Sequence, residues 1–137
     1  MTILKTNILA LTLIAAMPVQ AAVANPPLSQ VAEIEDTLYY AAIAHEIRKN
    51  CNSIDARMFK AMNMMWALRS RANELGYSDK EIRAYVESDT EKARMRAKGE
   101  AYLFANGVSY DNPESFCVLG RAEINKNSRI GVLLKAK

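Results

Sequence analysis

The stretch SDKEIRAYVESDTEKARMRAKGEAYLFANG, residues 78–107, decides the fold. Ser78-Asp79-Lys80-Glu81 has the form of a capping box: the serine hydroxyl accepts from the backbone N–H three residues on, and the glutamate reaches back to the serine N–H. A helix is therefore expected to start there, with Ile82, Tyr85 and Val86 inward. Ser88-Asp89-Thr90-Glu91 repeats the form, so that helix should break or kink and another should run from about Thr90 to Ala105. Asn106-Gly107 is its stop. Ala93, Ala97 and Ala101 recur at four-residue spacing, small enough to let a neighbouring helix approach closely.

Working outward, the same punctuation continues. Upstream, Ser29 can cap a first helix whose Val31, Ile34, Leu38, Ala41, Ala42 and His45 share a face, ending near Asn50-Cys51-Asn52. Ser53 or Asp55 begins a second, with Met58, Met62, Met65, Trp66, Ala72 and Leu75 along one broad face and Gly76 as its stop. Downstream, Asp111 or Asn112 caps a fifth helix with Pro113 at its first position and Phe116, Cys117, Gly120 and Ile124 inward. Ser128 opens a last short turn carrying Ile130, Val132, Leu133 and Leu134. No run alternates with a two-residue period, so the fold class is all-α, a small bundle of about five helices over residues 29–137, with 22–28 an extended lead-in.

The N-terminus sets the context. Lys5 supplies a positive charge, Ile8 to Ala16 an apolar run, and Met17-Pro18 a break before small residues, the layout of a secretory signal peptide. Cleavage after Ala21 or after Ala24 fits. The apolar run is well short of the roughly 20 residues that span a bilayer. No Cys follows it to carry a lipid, and no Arg-Arg pair precedes it. Taking 21 from 137 residues leaves 116, the size of one domain; with Lys5 gone, the 18 bases and 15 acids become 17 and 15, a net charge of +2. So even a balance, outside the cytoplasm, argues against a nucleic-acid partner. Cys51 and Cys117 fall in the exported part, where oxidising conditions favour a disulfide; with no Cys-x-x-Cys spacing, a structural bridge is the expected reading over a reactive thiol pair. Such a bridge would join the end of the first helix to the start of the fifth.

Several segments together carry a resemblance: Arg69-Ser70-Arg71-Ala72 with Leu75-Gly76-Tyr77-Ser78, Glu91 to Ala97 with Gly99-Glu100-Ala101-Tyr102-Leu103, Phe116-Cys117, and Gly120-Arg121-Ala122-Glu123-Ile124. Over nearly the whole exported part, both cysteines included, the sequence resembles domain-of-unknown-function family 5333, small exported bacterial proteins. The resemblance implies a periplasmic address and no established activity, so it assigns no catalytic residue.

Chemistry is then sought residue by residue. His45, the only histidine, projects onto the apolar face of the first helix and reads as a core residue; the sharper alternative is a base or a ligand. Zinc is disfavoured, since a site takes three or four ligands from Cys, His or carboxylate. Met58, Met62, Met64 and Met65 could bind copper(I) through thioethers, but their helical spacing suits an adaptable core around Trp66. Arg69 falls on that same side and needs a carboxylate, for which Glu46 is the candidate; otherwise it would anchor an anionic ligand. The basic run Lys92, Arg94, Arg96 and Lys98, with Arg83, Arg121, Lys126, Arg129, Lys135 and Lys137, could meet anionic lipid. Yet it spreads around its helix, and Glu91 with Arg94, or Arg96 with Glu100, can pair locally. The expectation is a periplasmic binding or accessory protein, without catalytic residues or cofactor, that works with another envelope protein or a membrane-bound complex. The alternatives are a small-ligand or copper(I) binder and a stress chaperone. Secretion is the alternative address.

Overall fold

A computed structural model describes residues 18, 19 and 21–137. The segment read as a signal peptide therefore lies, but for Pro18, Val19 and Ala21, outside the described residues. Five helices carry the fold: α1 (Ala32–Asn50), α2 (Met58–Glu74), α3 (Asp79–Glu87), α4 (Asp89–Ala105) and α5 (Glu114–Lys126). Two short strands, β1 (Ile54–Ala56) and β2 (Leu134–Ala136), pair antiparallel with Ile54 opposite Ala136. The all-α expectation holds apart from this ribbon. Asp55 lies in β1, Ser53 precedes it, and α2 starts only at Met58.

The start and stop signals are realised as hydrogen bonds. Ser78 Oγ accepts from Glu81 N–H at 3.2 Å, and the Ser78 N–H donates to the Glu81 carboxylate at 2.7 Å, completing the capping box. Ser88 closes α3 and caps α4, accepting from Glu91 N–H. Its box is only half made, because the Glu91 carboxylate turns to Arg94 instead. Gly76 and Gly107 adopt φ of +95° and +79° after α2 and α4, backbone conformations that favour glycine. Two sequence-based starts are corrected. A 3-10 turn over Leu28–Gln30 precedes α1, whose cap position is Val31 and not Ser29, and Pro113 occupies the cap position of α5.

Two apolar clusters share α1 as their common wall. The C-terminal half of α1 turns Ile43, Ala44 and Ile47 into the larger one, against Leu103, Phe116, Ile130 and Leu134. The N-terminal half turns Ile34 into the smaller one with Leu28, Ala72 and Tyr77. Cys51, just past α1, is disulfide-bonded to Cys117 in the first turns of α5, the staple expected from the sequence.

The apolar faces read from periodicity need four corrections. On α1, Ile34 is buried and Leu38 half-buried, but His45 is exposed. On α2, the inward line is Ala61, Met64, Met65, Leu68, Ala72 and Leu75, while Met58, Met62 and Trp66 face outward. On α4, Ala93, Ala97 and Ala101 are exposed; Gly99 and Leu103 are the residues that approach α1. Val86, expected inside, is also exposed.

Candidate binding surfaces

Helix α2 has two apolar sides, and the fold covers one. On the other, Met58, Phe59, Met62 and Trp66 are 56%, 85%, 43% and 63% exposed. At 3.6 residues per turn they fall on an arc of roughly 100°, with Arg69 continuing the line. The Arg69 guanidinium makes a two-pronged pair with Asp79, at 3.1 Å from Nε and 2.7 Å from Nη2, which raises its pKa and lowers that of Asp79. Asp79, in the first turn of α3, is thus the partner that the sequence reading sought in Glu46. The methionines separate: Met64 packs on the larger cluster and Met65 is half-buried, whereas Met58 and Met62 stand outside.

The second surface is a groove of about 350 Å³ between α1 and α4, closed at one end by Tyr85 and Val86 of α3. Its walls are mainly apolar: Leu38, Ala41 and Ala42 from α1 face Met95, Gly99 and Leu103 from α4. It continues the apolar face of α1. That face is covered by α2 and α3 around Ile34 and Leu38, then runs out into the open at Ala41, Ala42 and His45. His45 and Arg96 both line the groove, which their sequence positions did not reveal.

A polar cluster also joins α1 to α4. Glu35 is 7% exposed and receives both prongs of Arg94, Nη1 at 2.8 Å and Nη2 at 2.9 Å, with Lys98 at 3.2 Å and Tyr85 Oη at 3.1 Å. The Arg94 hydrogen bond outweighs burial and brings the Glu35 pKa down from 4.5 to about 2. Burial, reinforced by the Glu35 charge, pushes Tyr85 up to about 12. Arg94, Lys98 and Tyr102 repeat every fourth residue along α4, and the Lys98 ammonium lies 4.6 Å from the centre of the Tyr39 ring. Tyr102 donates to Glu123, a second buried carboxylate. Burial alone would raise the Glu123 pKa, but hydrogen bonds from Ser128, Tyr102 and Lys126 bring it down.

Several of the basic residues have partners within the protein. Arg94 and Lys98 turn inward, Arg121 pairs with Glu114, Lys126 with Glu123, and Arg129 lies over the Tyr40 ring. The expected local pair of Glu91 with Arg94 is present at 2.8 Å. Arg96 makes no ion pair or side-chain hydrogen bond among the described residues, with Glu100 or any other. Neither Glu35 nor Glu123 was singled out from the sequence. The one available signal was the Arg94-Lys98-Tyr102 stripe, whose four-residue spacing calls for an acceptor on the facing helix. Among the described residues no three His, Cys, Asp or Glu side chains converge as a metal site, and no helix is long and apolar enough to cross a membrane.

Fold and surfaces together define a small disulfide-stapled helical protein with an uncovered apolar helix face and an apolar groove. The model of a family of unknown function, DUF5333, matches residues 26–135, and the chain belongs to that family. No curated protein and no solved structure matches it.

Proposed function

We propose that this protein is a non-enzymatic, exported accessory protein that docks on an envelope or membrane-bound complex through the outer face of α2. The exposed line Met58, Phe59, Met62 and Trp66 carries the reading. These side chains form one contiguous apolar patch, and the largest such patch on a protein is often an interaction site. Aromatic residues and Met are enriched in the cores of protein interfaces, and Arg69, held by Asp79, supplies a fixed charge at the rim. A helix presenting anchors at i, i+4 and i+8 suits an apolar groove on the partner. Export is supported by the pattern of Lys5, the Ile8 to Ala16 run and Met17-Pro18, and by the disulfide, which persists in oxidising compartments. The periplasm is the favoured address.

The test places a benzophenone cross-linker at position 62 in native cells, with position 125 on the outside of α5 as the control. The reading expects one discrete adduct with an envelope protein from position 62, none from 125, and loss of that adduct when Trp66→Glu is added. It also expects a chain whose N-terminus lies at residue 22 or 25. Identical adducts from both positions, or an uncleaved chain held in the cytoplasm, would overturn it.

A further inference from the structure

The groove between α1 and α4 is a surface separate from the α2 face. Its volume of about 350 Å³ falls within the range of small-molecule sites, and its walls are chiefly apolar. Gly99 forms part of the floor in the middle of α4, where glycine is about 1 kcal/mol less favourable than alanine. It is buried against α1, where an added Cβ would face Ile43 Cγ1 at an ordinary 3.8 Å.

The charges around the groove are not equivalent. Glu46 accepts from Tyr110 at 3.0 Å, Glu91 accepts from Arg94 at 2.9 Å, and Glu100 lies 3.5 Å from the same Tyr110 hydroxyl. Tyr110 has one proton, given at the shorter distance to Glu46, and Lys92, also on the groove, lies 3.8 Å from Asp89. Arg96 lines the groove with a guanidinium that has no partner among the described residues, and a guanidinium binds carboxylates through two parallel hydrogen bonds. We propose that the groove binds a free aliphatic carboxylate, its chain along Leu38, Ala42, Met95 and Leu103 and its head group on Arg96.

Titrating decanoate into the purified, disulfide-bonded protein, below the micellar concentration, tests this, with decyltrimethylammonium as the cationic counterpart and phosphatidylglycerol vesicles as a lipid surface. Saturable binding of decanoate is expected, with the cation at least about tenfold weaker and Arg96→Gln weakening decanoate about tenfold, the scale of one charge-assisted hydrogen bond. Gly99→Leu, which adds a side chain beside Ile43 at a groove-lining position, should abolish binding while the protein melts cooperatively. If that variant does not fold, Arg96→Gln, at an exposed residue, decides. Absence of saturable binding, equal binding of anion and cation, undiminished binding by a folded Gly99→Leu or by Arg96→Gln, or binding to vesicles alone would each overturn the proposal.

Discussion

Glu35 and Arg94, 59 residues apart in sequence, form a two-pronged ion pair that fixes α4 against α1. Tyr85 and Glu91, which are bonded to this pair, also line the groove. With Lys98 and Tyr85 also bound to it, the Glu35 carboxylate has its acceptor sites occupied.

That arrangement makes stability depend on acidity in a definite direction. The Glu35 pKa is lowered from 4.5 to about 2, so in acid the unfolded chain binds this proton more readily than the folded one. The stabilisation is fully present above about pH 4.5 and is lost as pH falls toward 2, a linkage of roughly 3 kcal/mol at neutrality. Glu35→Gln should lose stability on that order at pH 7 and show a flatter profile in acid, read by urea unfolding across pH. A variant as acid-sensitive as the parent would contradict this.

Replacing both cysteines, as Cys51→Ser with Cys117→Ser, should lower stability by about 4 kcal/mol, because the bridge closes a long loop in the unfolded chain. Urea midpoints of the oxidised parent and the double variant measure it. A difference under about 1 kcal/mol would mean that the unfolded chain gains little freedom when the bridge is removed.

Gly131 and Gly107 should respond differently to alanine. A Cβ at Gly131 would run into the backbone carbonyl of Glu123, which cannot yield without moving α5. Gly131→Ala should therefore destabilise by about 3 kcal/mol or more. Gly107 has open space, and only its φ of +79° resists a side chain, so Gly107→Ala should cost about 1 kcal/mol. Thermal melts rank the two, and the reverse order would contradict the packing described.

Trp66 is the only tryptophan and stands 63% exposed, so its emission should be that of a water-exposed indole and open to iodide quenching. Phe59→Ser and Trp66→Ser should each change stability by no more than about 0.5 kcal/mol, as substitutions away from the core do. A loss of several kcal/mol would show that α2 buries this side.

Much of the architecture was legible because it is written locally. Ser78 to Glu81 and Ser88 give helix starts through their own hydroxyls, Gly76 and Gly107 give stops through backbone freedom, and two cysteines allow one pairing. Orientation was less legible, since it depends on what lies opposite. On α2, Met58, Met62 and Trp66 compete with Ala61, Met64 and Leu68 as apolar lines, and periodicity does not choose between them. On α1 the buried side changes along the helix, so a single projected face put His45 in the core when it belongs at the groove. The pairing of β1 with β2 brings residues 54–56 against residues 134–136, far apart in sequence, and three-residue strands carry no period to read. Burial of Glu35 likewise follows from Arg94 and Tyr85 on other helices, not from its neighbours in sequence.

The central claim is that the outer face of α2 is covered by a partner in the cell. Size fractionation of gently solubilised native envelopes tests it most directly, comparing the parent with a Phe59→Ser, Trp66→Ser double variant whose melting temperature has been checked. The parent should migrate within a larger assembly and the folded double variant at the size of the free chain. Co-migration of the variant with the assembly, or a parent found only as free chain, would contradict it.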